Sequence, residues 1–148
     1  MTDIVKRFLV LNGPNLNLLG ERQPEIYGSA TLEEIVKRLQ EHAEDLGVQI
    51  IHVQSNHEGG LIEALHDARN WAAGIIINPA ALTHYSYALR DAIASTGLPA
   101  VEVHLTDISK REDWRRISVT RDVCVDQIAG HGGEGYLMAL DRLLQHLL

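Results

Sequence analysis

Phe8-Leu9-Val10-Leu11-Asn12 runs directly into Gly13-Pro14-Asn15. An apolar run without polar alternation suits a strand covered on both faces, and Gly-Pro ends it abruptly. The same grammar recurs down the chain. Gln49 to Gln54, Gly74 to Asn78 before Pro79, Ala100 to His104 and Asp122 to Ile128 read as four further strands. Apolar residues at helical spacing lie between and after them. Thr31-Leu32-Glu33-Glu34 is a capping box, and the stripe Leu32, Ile35, Val36, Leu39, Leu46 follows it. Leu61, Ile62, Leu65 and Ala68 mark the next helix, and Ser86 to Thr96, closed by Gly97 and Pro99, the one after. Asp113 to Arg116 begins or sits in a short helical connection, and Leu137, Leu140, Leu143, Leu144 and Leu147 carry the last helix. Five βα units imply a flavodoxin-like α/β fold: an open, doubly wound, five-stranded parallel sheet with helices on both faces. No repeat or linker interrupts the pattern, so residues 1–148 read as one domain.

Composition narrows the function classes. The 148 residues carry 13 Lys+Arg against 20 Asp+Glu, a formal charge of -7 that argues against a nucleic-acid partner. An anionic ligand would need a local basic pocket. There is no long uncharged apolar run for a membrane, and the mixed-charge stretch Met1 to Val10 lacks the apolar core of a signal peptide. The single Cys124, within Val123-Cys124-Val125, can form no internal bridge and reads as a reduced core thiol. The expectation is an untargeted cytoplasmic protein.

Ligands in open α/β sheets bind beyond the carboxyl ends of the strands. Polar residues gather at those ends: Asn12 to Asn15, Ser55-Asn56-His57-Glu58, Asn78 and His104. Each alone suits a turn; together they suggest a pocket. Glu102 and His104, two apart on one strand, share a face, so the carboxylate can orient the imidazole. Such a histidine is a candidate general acid, although a satisfied core histidine has the same pattern. The other His residues and Cys124 lack the spacing of a zinc site, and no metal is expected. About eighteen residues, Gly13 to Ala30, separate the first strand from its helix, far beyond the two to six typical of such loops. They contain Arg22 and Tyr27. A phenol with pKa about 10 becomes a base near neutrality only if roughly 3 to 4 kcal/mol favours its phenolate, and a guanidinium within about 4 to 6 Å can supply that. Arg111 and Arg115, at i,i+4 spacing, could face one anion or simply solvent. Gly130-His131-Gly132-Gly133-Glu134-Gly135 matches a dinucleotide fingerprint in letters only. It opens the last helix, so close helix-to-sheet packing explains it better.

The assembled segments resemble the type II 3-dehydroquinate dehydratases, or type II dehydroquinases. The resemblance runs through Leu11-Asn12-Gly13-Pro14-Asn15-Leu16-Asn17, Arg22-x-Pro24-x-x-Tyr27-Gly28 and Gln54 to Gly59. It continues through Ile77 to Ala81, Thr83-His84, Ala88 to Ala92, Val101 to His104 and Gly130-x-Gly132-x-x-Gly135-Tyr136. It implies a cofactor-free hydro-lyase that converts 3-dehydroquinate to 3-dehydroshikimate through an enolate, a step common to aromatic biosynthesis and quinate breakdown. By that resemblance Tyr27 is the base, Arg22 its activating cation, His104 the acid oriented by Glu102, and Asn15 the holder of a water on the enolate oxygen. Asn78, His84 and Arg115 would bind substrate hydroxyls, and the N–H groups of Leu105 and Thr106 its carboxylate. Arg111 would be a second lid arginine and Asp91 a residue reaching a neighbouring subunit's site. The loop at about 20–28 would be an active-site lid, and the assembly a dodecamer of four trimers. The unrelated type I enzymes use a Schiff-base lysine. Lys6, Lys37 and Lys110 all lie outside apolar segments that would make one nucleophilic. Gly60, Leu82 and Asp107 depart from the usual acidic, aromatic and Asn residues. Asp107 would repel an anionic acid unless it points away or meets Arg111.

Two rivals share the fold. A phosphoacceptor needs acidic residues where Asn12 and Asn78 stand, and a late lysine. A flavin-binding module needs a Ser/Thr-rich loop where Asn-Gly-Pro-Asn stands. Fold alone does not separate these classes.

Overall fold

The computed structural model describes residues 4–148; the N-terminal reading above rests in part on residues 1–3, which lie outside the described residues. Five parallel strands, β1 (Arg7–Asn12), β2 (Gln49–Gln54), β3 (Gly74–Asn78), β4 (Ala100–His104) and β5 (Asp126–Ala129), lie in the order β2-β1-β3-β4-β5. The helices are α1 (Pro24–Tyr27), α2 (Leu32–Asp45), α3 (Glu58–Ala68), α4 (Tyr87–Thr96) and α5 (Glu134–His146). This is the flavodoxin-like order, whose ligand crevice opens between β1 and β3, where the strand order reverses.

Alternation along β1 assigns the layers. Phe8 and Val10 face a cluster built with Leu32, Ile35 and Leu39 of α2 and Tyr136, Ala139, Leu140 and Leu143 of α5. Leu9 and Leu11 face Leu61 and Leu65 of α3 and Leu89 and Ile93 of α4. The central strands β3 and β4 are buried throughout, whereas the edge strands β2 and β5 are half-exposed. Each fully buried Leu or Ile contributes roughly 1.5 to 3 kcal/mol, so this two-faced core is the main source of stability.

Local chemistry fixes the helix starts. The Thr31 hydroxyl accepts the N–H of Glu34 at 3.2 Å, and Ser86 accepts that of Leu89 at 3.0 Å. Leu46 falls just past α2 and is exposed, so the buried stripe closes at Ala43 instead. The fifth strand also differs from the reading of Asp122 to Ile128. Arg121–Val123 forms a 3-10 turn, and pairing with β4 begins only at Asp126. Val123 and Cys124 pack against the α3/α4 face before the strand starts. Gly135 matches the packing reading, because a Cβ there would lie 3.3 Å from Val103 Cγ1. Gly130 and Gly132 serve the turn into α5, with φ of 86° and 57°. Among the described residues no helix is long and apolar enough to cross a membrane.

Candidate active site

A cleft partly open to solvent lies over the carboxyl ends of β1, β3 and β4. It receives Asn15, Arg22, Tyr27, Asn78, His84, His104, Leu105, Thr106, Arg111 and Arg115, which are ten of the twelve residues singled out from the sequence. Glu102 lies behind it, and Asp91 stands exposed on α4, outside the lining. Pro14, Leu16, Ala80, Ala81 and Ile108 complete the wall.

The first loop is held against β3 by a close approach. The Gly13 N–H donates to Asn78 O at 2.8 Å, and a Cβ on Gly13 would fall 2.6 Å from Pro79 O. Asn15 follows in the left-handed region, φ 71°, a conformation Asn tolerates better than most residues. Its N–H donates to Asn56 Oδ1 at 2.9 Å, and Gln54 Nε2 donates to Gly13 O at 3.2 Å. The polar end of β2 therefore braces this loop. Ser55, Asn56, His57 and Glu58, grouped with the pocket on sequence, are absent from its lining.

Behind the cleft, Glu102 is 0% exposed inside β4. Its Oε2 accepts from His104 Nε2 at 2.9 Å, Ser118 Oγ at 2.8 Å and Gln127 Nε2 at 2.6 Å. Its Oε1 accepts from Thr83 at 3.1 Å, Ser118 at 3.0 Å and Thr120. Burial alone would raise the carboxyl pKa, but the bond and charge of His104, with Thr120 and Gln127, bring it from 4.5 to about 2. Glu102 is thus a fixed anion at neutral pH. It holds His104 by Nε2, and among the described residues His104 Nδ1 has no hydrogen-bond partner. The sequence reading missed this donor shell. Its signal is the pair of hydroxyls in Ser118-x-Thr120, together with the need to satisfy a carboxylate in a buried strand.

Two guanidiniums meet Tyr27 at the end of α1. Arg22 stacks on the ring, its Cζ 4.7 Å from the centroid, while Arg111 Nη2 donates to the Tyr27 oxygen at 3.3 Å. The sequence reading paired Arg22 with the phenol and made Arg111 a second lid arginine; both meet Tyr27, Arg22 on the ring face and Arg111 on the oxygen. Arg111 is held in turn by Nη1 to Thr106 Oγ1 at 3.2 Å. Arg115 lies over the Trp114 ring at 4.0 Å and donates to Glu112 at 2.8 Å. His84 Nδ1 donates to Ile117 O at 2.6 Å, which leaves Nε2 as an acceptor. Burial lowers the His84 pKa, the Ile117 carbonyl works against this, and the charges of His104 and Arg115 add to the lowering.

Asp107 points away from the cleft. Its carboxylate caps Ser109, accepting the N–H at 3.0 Å and the hydroxyl at 2.6 Å, bonds that hold its pKa below the ordinary value. Leu82 is buried in the α3/α4 core, and a Cβ on Gly60 would press on Ser55 Oγ at 2.8 Å. Cys124 is half-buried rather than wholly so, and burial followed by the Glu102 charge raises its pKa to about 12.

Residues 6–144 match the family described as dehydroquinase class II. The chain is 52% identical over 140 residues to the 3-dehydroquinate dehydratase of Halothermothrix orenii, covering 95% of each protein. The crystal structure of the type II dehydroquinase from Butyrivibrio crossotus superposes with a TM-score of 0.93 at 46% identity, over 95% of this chain and 98% of that one. The type II dehydroquinase structure from Propionibacterium acnes gives 0.92 at 38% identity, over 97% and 99%.

Proposed function

Because the chain belongs to the class II dehydroquinase family, we propose that it dehydrates 3-dehydroquinate to 3-dehydroshikimate with Tyr27 as base and His104 as acid. The observation that carries this division of labour is that both side chains line one cleft while their environments differ in charge. Tyr27 sits between two cations, the surroundings a phenolate needs. His104 rests on the buried Glu102 carboxylate, the surroundings an imidazolium needs.

In the proposed cycle Tyr27 takes the proton next to the ketone, and the electron pair moves to the carbonyl oxygen. A water held by Asn15 stabilises the enolate, an electrostatic role whose value lies in a fixed donor. The enolate then collapses to a conjugated ketone. The hydroxyl on the adjacent carbon leaves with the proton of His104, departing as water. Tyr27 ends protonated and His104 neutral, and exchange of one proton through solvent restores both.

His84 Nε2 accepts from a substrate hydroxyl, Asn78 donates to one, and Arg115 binds another across the ring. The N–H groups of Leu105 and Thr106 hold the carboxylate. The segment at about 20–28 closes as a lid, carrying Arg22 and Tyr27 onto the substrate with Arg111 opposite. No cofactor takes part. Asp91, exposed on α4, reaches the site of a neighbouring subunit in a trimer, four of which form the dodecamer. The protein works in the cytoplasm as a single domain.

The test is formation of the conjugated enone by the purified protein, its Tyr27→Phe variant and its His104→Ala variant. Loss of at least about a hundredfold in kcat is expected for each variant. An unchanged rate in either variant removes that residue's role.

A further inference from the structure

A polar chain of which the proposed cycle uses only Asn78 runs through the core between β1, β3 and α5. Tyr136 is 0% exposed, and its oxygen lies 2.5 Å from Asn12 Oδ1 and 3.1 Å from Asn78 Nδ2. Asn78 Oδ1 accepts the Ala80 N–H at 3.1 Å, and Asn12 Nδ2 lies 3.0 Å from His52 Nε2.

The backbone fixes the direction of every bond in this chain. The Ala80 N–H can only donate, so the amide oxygen of Asn78 faces it and the NH2 group faces Tyr136. The Tyr136 oxygen accepts that bond, and its single proton goes to Asn12 Oδ1. The NH2 of Asn12 then faces His52, whose Nε2 accepts. The chain therefore requires a neutral His52 with its proton on Nδ1, in keeping with the lowering of its pKa by burial. A phenylalanine would fill the space of Tyr136 without burying a hydroxyl, a group that costs free energy unless it is hydrogen-bonded. The oxygen is thus explained by what it holds. Asn78 is 3% exposed and lines the cleft, and Ala80, in the cleft wall, has φ 54°, a strained conformation steadied by the bond to Asn78.

We propose that Tyr136 is a positioning residue that fixes the Asn78 amide so that its second N–H is offered to a substrate hydroxyl. The inference rests on the reading of Asn78 as a substrate contact, and the experiment separates the two. KM and kcat for 3-dehydroquinate are measured for the native protein, Tyr136→Phe, Asn78→Ala and the double variant. Tyr136→Phe should raise KM about three- to tenfold, the effect of one hydrogen bond, with kcat held within about twofold. The rise should vanish in the Asn78→Ala background, because Tyr136 acts through Asn78. An equal rise in both backgrounds, no rise at all, or a fall in kcat alone overturns the proposal while leaving Asn78 as a substrate contact. An unchanged KM in Asn78→Ala removes that contact and the proposal with it. A second measurement on the native protein needs no variant to fold. The nitrogen-15 spectrum of His52 should show the Nδ1–H tautomer, and an Nε2–H tautomer at neutral pH overturns the bond directions and the proposal.

Discussion

Glu102→Gln removes one charge from the site and almost no volume. In the folded protein the carboxyl is displaced from 4.5 to about 2, a shift equivalent to about 3 kcal/mol. The folded-state value lies below the unfolded one, so this stabilisation is complete above the unfolded value of 4.5 and is lost as pH falls through about 2. At pH 7 the whole amount is present, while at pH 3 about 1 kcal/mol remains by the same linkage. Glutamine cannot titrate. Its mismatched NH2 group, facing the donors of His104 and Gln127 or of the three hydroxyls, costs the same at either pH. Urea unfolding at pH 7 and pH 3, at fixed protein concentration, should therefore show the gap between native and variant protein shrinking by about 2 kcal/mol on acidification. Activity at pH 7 should fall at least about a hundredfold, because the amide no longer holds His104 as the carboxylate does. A gap of equal size at both pH values would refute the reasoning, since Glu102 would then be an ordinary carboxyl in an unusual place.

Other outcomes follow from the same geometry. Arg111→Met removes the donor on the Tyr27 oxygen and Arg22→Met only the stacked cation, so kcat should fall further in the first, by about tenfold or more; the reverse order would restore Arg22 as the principal partner. Gly13→Ala would force a Cβ to within 2.6 Å of Pro79 O, and a loss of about 1 to 3 kcal/mol in thermal or urea unfolding is expected, with a raised KM as the Asn78 turn shifts. Cys124, its pKa raised to about 12, should react with a thiol reagent at pH 8 far more slowly than free cysteine while the protein is folded, and at the ordinary rate once it is unfolded.

What the sequence conveyed was governed by how local each signal is. Uninterrupted apolar runs made β1 and β3 legible, and Thr31 and Ser86 marked helix starts because a cap is a contact within four residues. β5 was placed too early because Val123-Cys124-Val125 is apolar enough for a strand. Only the 3-10 turn of Arg121–Val123 and the register on β4 show that those residues pack before pairing begins. The Glu102–His104 pair was visible through its spacing of two. The hydroxyls of Thr83, Ser118 and Thr120 come from two other connections and converge only in space. The contact of Arg111 with the Tyr27 oxygen has the same cause, for the two are 84 residues apart and no local pattern joins them. The end of β2 misled for the opposite reason. Its polar residues look like a pocket rim, but Asn56 and Gln54 spend their hydrogen bonds on the neighbouring loop.

The division of labour between Tyr27 and His104 is tested most directly in heavy water, by following both deuterium entry next to the substrate ketone and formation of the enone. The His104→Ala variant should still exchange that hydrogen while making almost no product, since the first step needs only Tyr27. Tyr27→Phe should do neither above the rate of free substrate. Enzyme-dependent exchange in Tyr27→Phe, or its loss in a folded His104→Ala, would contradict the account.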